Sequence, residues 1–291
     1  MQVMVAVWLL AGCDPATEPF IPGLVGTGTY DSDATGLRVH YHVPDAVQSL
    51  SPVVLVFHGA TRDAGFYRSA WVDAANEHGF VVAVPEFTEL SWPGASGYAL
   101  GNVYVNGDAP SPETLRPPEE WAFSLVVPLF EELKAMVGNR SSIVHLFGHS
   151  AGAQFAHRLL MFQPEGPWGF VIAANAGWYT VPDPAVTFPY GLGSSPLQGE
   201  VPVWFDERLV VHAGSADTDP DSAALRHTVG ADAQGPHRFA RAGHFMAESE
   251  ALAREAGAPF AWSLHVVDGV GHDFVEMSAA GGDWLAEAIG R

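Results

Sequence analysis

The pentapeptide Gly148-His149-Ser150-Ala151-Gly152 constrains this chain more than any other stretch. An apolar run, Ser142-Ile143-Val144-His145-Leu146-Phe147, precedes it, and a helix-compatible run over residues 153–162 follows. A G-x-S-x-G sequence between a strand and a helix reads as a sharp turn that presents the serine oxygen at its tip. The serine backbone must be strained there, and side chains at Gly148 or Gly152 would collide across the turn. The helix that begins beyond it directs unpaired N–H groups at the serine, where an oxyanion would form.

The rest of the chain predicts strands alternating with helices. Strands are expected over 37–43, 52–57, 80–84, 143–147, 170–174, 209–212 and 262–267. Helices are expected over 69–78, 119–137, 243–256 and 274–289, with Gly281-Gly282 as a candidate break in the last. The runs at 52–57 and 80–84 are apolar throughout, as in strands covered on both faces. Alternation of this kind means a single α/β domain, a mostly parallel sheet with helices on both sides. Two long excursions, 86–118 and 177–200, break the rhythm and are rich in Gly, Pro, Trp and Tyr. Loops of that length in a compact domain usually form lids or binding walls.

A serine nucleophile needs a base to take its proton and a carboxylate to hold the base. Leu209-Val210-Val211-His212-Ala213-Gly214-Ser215-Ala216-Asp217 is a strand followed by a loop that carries Asp217. The strand at 262–267 is followed by Asp268-Gly269-Val270-Gly271-His272-Asp273. Loops at the carboxyl ends of parallel strands share one rim of a sheet, so Ser150, Asp217 and His272 are expected to converge. Ser150 is then the nucleophile, His272 the base and Asp217 the residue that orients it. Asp219, Asp221 and Asp273 are rival carboxylates.

An oxyanion hole needs two backbone donors. Ala151 N–H, next after the serine, is one. The loop Phe57-His58-Gly59-Ala60-Thr61 supplies the other, from Ala60 with Thr61 as the rival. His58 is expected to order this loop by hydrogen bonding. It is grouped with His149 and Trp178 on the substrate side. Trp178 either walls an acyl pocket or packs in the core.

Together, HGA, GHSAGA, GSADTD and GVGHD resemble the α/β-hydrolases, and among them bacterial poly(3-hydroxybutyrate) depolymerase-like and feruloyl-esterase-like enzymes. The resemblance spans residues 37–289. It implies the α/β-hydrolase fold, the order Ser…Asp…His and ester cleavage through an acyl-enzyme, with no cofactor. Secreted polymer-degrading members carry disulfide cysteines and substrate-binding appendages. With neither here, a small-molecule or oligomeric ester is the expected substrate, with a polyester depolymerase or a peptidase or amidase on the same triad as the alternatives and a non-catalytic binding protein last.

Charge narrows the partners. Thirteen Lys and Arg stand against 33 Asp and Glu, a formal charge of −20. Nothing in that balance neutralises a phosphate backbone, so nucleic acid is excluded as a partner. The 48% of hydrophobic residues excludes a disordered chain.

Asp217-Thr218-Asp219-Pro220-Asp221 lacks the glycine and bidentate acid of a calcium loop. His40 and His42 share a strand face without a third ligand, which reads as a polar sheet face. The single cysteine, Cys13, excludes an intramolecular disulfide and a Cys-based zinc site.

An apolar run at 3–11 leads into Leu10-Ala11-Gly12-Cys13, which resembles a bacterial lipobox, although Met1-Gln2 carries no basic residue. Residues 1–12 are therefore expected to be a signal peptide and 13–25 a tether. Residues 26–291 form the catalytic domain, held outside the cytoplasm by a lipid on Cys13. That lipid is the only expected link to a membrane.

Overall fold

The computed structural model describes residues 23–199 and 203–291. The signal-peptide and lipobox expectations, Cys13 included, lie outside them. Eight strands run in chain order: β1 (Gly26–Asp31), β2 (Arg38–Val43), β3 (Val53–Phe57), β4 (Val81–Glu86), β5 (Val144–His149), β6 (Trp168–Ala174), β7 (Leu209–Gly214) and β8 (Ser263–Val267). They form one sheet in the order β1-β2-β4-β3-β5-β6-β7-β8. β1 and β2 pair antiparallel at one edge, and β4 through β8 are parallel.

Among the described residues the helices are α1 (Ala64–Ala70), α2 (Val72–His78), α3 (Gly94–Gly97), α4 (Val126–Val137), α5 (Ala151–Phe162), α6 (Val229–Asp232), α7 (Arg238–Ala256) and α8 (Phe274–Ala288). Strand periodicity divides the core in two. Val53, Leu55 and Phe57 of β3 face one layer with α4, α5 and α7, while Val54 and Val56 face the other with α1, α2 and α8. The central strands are buried from end to end, which is why they read as unbroken apolar runs. α5 is buried along its whole length, so its first turn is held as firmly as the sheet.

Several element boundaries differ from expectation for local reasons. β1 was not anticipated: Gly-Thr-Gly-Thr-Tyr-Asp is half-exposed and is a strand because it pairs with β2. The helix expected at 69–78 is two helices, divided at the wholly buried Trp71. The one expected at 119–137 begins as two 3-10 turns. Trp121 between them is extended, its indole N–H donating to the Arg116 carbonyl, and α4 starts only at Val126. α7 begins at Arg238 rather than 243, capped by the His237 side chain accepting from Ala240 N–H. α8 runs unbroken through Gly281-Gly282. Those glycines let Phe147 and the Ala74 methyl approach to 2.6 Å of where a Cβ would stand.

Candidate active site

β5 ends at His149 and α5 begins at Ala151, so Ser150 alone makes the turn. Its φ of 57° and ψ of −113° lie where non-glycine residues rarely sit. A methyl on Gly148 would run into the Gly152 carbonyl, and one on Gly152 into the Phe57 carbonyl. The glycines are therefore required by close backbone approach.

Ser150 Oγ lies 3.1 Å from His272 Nε2, and His272 Nδ1 donates to Asp217 Oδ2 at 2.7 Å. The three residues expected to converge do so, from loops after β5, β7 and β8. Two of the rival carboxylates are engaged elsewhere, and among the described residues no contact joins the third, Asp221, to His272. Asp273 caps α8, accepting from Val275 and Glu276 N–H, and Asp219 accepts from Asp221 N–H. Asp217 is buried, and Arg238 Nη1 stands 3.4 Å from its other oxygen.

Asn175 escaped the sequence reading, yet it ties the rim together. It follows β6 with a φ of 48°, accepts from Gly214 N–H and donates to the Gly271 carbonyl, both at 2.8 Å. Gly214 starts the loop that carries Asp217, and Gly271 precedes His272. One amide thus spaces the loops that carry Asp217 and His272. An asparagine tolerating a left-handed backbone was the only signal in the sequence.

Gly59 comes close to the serine: Ser150 Cβ lies 3.7 Å from where a Gly59 Cβ would stand. Among the described residues the N–H groups of Ala60, Thr61 and Ala151 are not taken by any backbone acceptor. Ala151 is the first residue of its helix and has no intrahelical partner. Ala60 and Ala151 border a cavity of about 210 Å³ together with Arg62, Tyr98, Gln154 and Trp178.

His58 and His149, expected on the substrate side, stand behind that cavity. His58 donates from Nδ1 to the Gly59 carbonyl and accepts at Nε2 from Phe87 N–H. It fastens the loop after β3 to the segment after β4, and burial pushes its pKa down to about 4. His149 Nδ1 is 2.9 Å from the Tyr67 hydroxyl, and its ring lies 4.7 Å from that of His272. Burial, then the charges of His272 and Arg238, hold His149 well below the usual imidazole pKa. A neutral ring beside His272 adds no positive charge against an imidazolium forming there.

Trp178 is buried at the edge of this cavity. It is packed between the Arg158 and Arg226 guanidiniums, 4.3 and 4.9 Å from its ring. His40 and His42 are engaged as a polar sheet face, with Glu86 for the first and Thr27 and Asn76 for the second.

A mostly parallel sheet with a strained serine at its carboxyl edge defines the α/β-hydrolases, and the chain belongs to that superfamily and is a hydrolase. It is 33% identical to poly(aspartic acid) hydrolase-1 from Sphingomonas sp. KT-1, covering 89% of this chain and 98% of that one with a TM-score of 0.84. It is 32% identical to LpqC, a poly(3-hydroxybutyrate) depolymerase from Bordetella parapertussis, covering 91% and 92% with a TM-score of 0.81. A fluorophosphonate-binding serine hydrolase, FphF of Staphylococcus aureus, shares the fold at 11% identity, with a TM-score of 0.56 over 89% of this chain and 97% of that one. No protein-family model and no curated protein matches the chain.

Proposed function

We propose that the chain cleaves carboxylic esters through an acyl-enzyme, with Ser150, His272 and Asp217 as its triad. The observation that carries this reading is the unbroken pair of hydrogen bonds from Ser150 through His272 to Asp217, anchored on a strained serine. Ser150 Oγ attacks the acyl carbon as His272 Nε2 takes its proton. The carbonyl oxygen becomes an oxyanion held by Ala60 and Ala151 N–H. His272 then protonates the departing alcohol oxygen, and water repeats the sequence to release the acid and free Ser150. Asp217 keeps the proton on Nδ1 and stabilises the imidazolium.

A second reading, amide cleavage on the same triad, draws support from the similarity to a poly(aspartic acid) hydrolase, whose polymer is joined by amide bonds. The charge of −20 opposes a polyanionic substrate, which favours the ester reading. Purified protein assayed on p-nitrophenyl acetate and butyrate against the matching anilides separates the two. The expected result is ester turnover and labelling of Ser150 by a fluorophosphonate. The absence of both turnover and labelling would end the proposal.

The lipobox-like sequence at Cys13 supports an acyl-anchored, extracytoplasmic protein with a tether over 13–25 and a catalytic domain over 26–291. A Cys13→Ala variant should then move from the membrane fraction to the soluble one, and unchanged fractionation would refute the anchor. Among the described residues no helix is long and apolar enough to cross a membrane.

A further inference from the structure

Arg238 opens α7 with a side chain that is 1% exposed, and its Nη1 stands 3.4 Å from both Asp217 Oδ1 and Ser222 Oγ. The same turn of helix is docked on Asp217 through the backbone, because Phe239 N–H donates to the Asp217 carbonyl at 3.2 Å. A guanidinium is costly to take out of water, and a buried ion pair is weak evidence of stabilisation. The other wholly buried arginines tie loops in place: Arg158 and Arg241 each donate to two backbone carbonyls. Among the described residues Arg238 donates to no carbonyl, and its Nε and Nη2 have no partner. What it brings to Asp217 is chiefly charge.

Little else competes with that charge. Among the described residues Asp217 pairs with Arg238 and His272 alone, one on each carboxylate oxygen. Burial above all, with the charge of Asp217 added, pushes the Tyr179 phenol up and keeps it protonated. Arg241, further along α7, is turned to Asp232 and to the carbonyls of Gly177 and Gly235. Asp219 and Asp273 accept backbone N–H groups, and Asp268 accepts from Ser215 Oγ. The field of Arg238 also crosses the site. After burial and His272, it is what holds the His149 ring neutral, and that ring lies 4.7 Å from His272. The same field opposes the imidazolium that forms on His272 during turnover.

We propose that Arg238 is a positioning residue that extends the working range of the triad toward acid, by offsetting part of the attraction of Asp217 for the imidazolium form of His272. This rests on the triad reading above and sets its pH range. A lone buried carboxylate orients Nδ1 but also holds a proton on the base, which idles Ser150 once the medium turns acid. A carboxylate that already carries a guanidinium on Oδ1 still orients Nδ1 through Oδ2 and holds that proton less strongly.

The test is the acid limb of kcat/KM for p-nitrophenyl butyrate, taken from initial rates of protein diluted out of a neutral stock. It compares the native protein with Arg238→Gln, Arg238→Met and Arg238→Lys. That limb reports protonation of the base in the free enzyme. In the Gln and Met variants it should lie about one pH unit higher than in the native protein, and Lys should bring it back to within about half of that. The position of the limb is internal to each preparation, so a variant that folds only in part still reports it. Gln retains a donor for Asp217, whereas Met retains only the length of the chain. Slower turnover with the limb unmoved or lowered in either neutral variant would make Arg238 a structural residue and overturn the proposal. A limb raised equally in all three variants would overturn it too, because charge would not be the cause. No turnover by the native protein and no fluorophosphonate labelling would remove the triad reading and this proposal together.

Discussion

Ser150, Asp217 and His272 stand one, three and five residues beyond the ends of β5, β7 and β8, whereas the cavity walls come from excursions of about thirty and twenty residues with little regular structure. The strand-end loops are held by backbone geometry: a strained turn, glycines at close approaches and the Asn175 amide. The excursions are held by arginine. Arg158 is wholly buried and donates to Thr180 Oγ1 and to the carbonyls of Ala99 and Gln154, joining both excursions to α5. Arg62 donates to the carbonyls of Phe87, Trp92 and Gly94, and Arg241 to those of Gly177 and Gly235. Tyr104 then links the first excursion to the second through the Ser194 carbonyl. Three of the chain's 13 basic residues are committed to this work. The proposed triad sits where the sheet enforces position, and the cavity beside it is walled in part by loops that side chains hold and the sheet does not reach.

Each half of that contrast can be broken separately. Ser150→Ala should lower ester turnover by about 10⁶-fold with the urea midpoint nearly unchanged, since alanine keeps the Cβ and the backbone strain and loses only the hydroxyl. Activity that persisted would place the nucleophile elsewhere. Arg158→Met should cost about 3 kcal/mol in urea unfolding, because Thr180 and the carbonyls of Ala99 and Gln154 lose a buried charged donor. Arg254→Ala, whose side chain is mostly exposed beside Glu250, should hardly move the midpoint. If the two variants behaved alike, the excursions would not depend on buried arginine.

Asn175→Ala should lower kcat by about 10²-fold with a small effect on KM, since acid and base lose their common spacer. A change in KM alone would place Asn175 in binding.

The broadest probe is pH. His58 and His145 are pushed down to about 4 and His212 to about 3 by burial, and His149 and His157 lie well below their usual value for the same reason. The unfolded chain therefore binds protons that the folded one refuses between pH 6.5 and about 4. Stability should fall as pH drops through that window, by up to about 1.4 kcal/mol per unit for each histidine. All five lie on strands, on α5 or in the loop after β3. Hydrogen exchange should accordingly show acid loosening the scaffold with the walls, and a flat profile would contradict the burial.

The readable parts of this protein share a property: a local rule specifies them. Gly148 and Gly152 announce a tight turn, the apolar run at Val53–Phe57 announces a buried strand, and Asp217 and His272 follow strands at a rim every parallel sheet possesses. What stayed hidden depends on partners distant in sequence. β1 is a strand only against β2, and α8 tolerates Gly281-Gly282 only because Phe147 and Ala74 fill the space. His58 and His149 stand beside motif residues in sequence, yet their rings turn toward Phe87 and Tyr67, away from the cavity.

The order of Ser150, Asp217 and His272 and the α/β architecture were determined by the sequence alone, because strand periodicity and turn chemistry act over a few residues. Which carboxylate meets His272, the amide of Asn175 between two loops and the buried guanidinium of Arg238 beside Asp217 were decided by the tertiary structure. Each depends on where side chains from separate strands and loops come to rest, and only packing of the whole chain sets that.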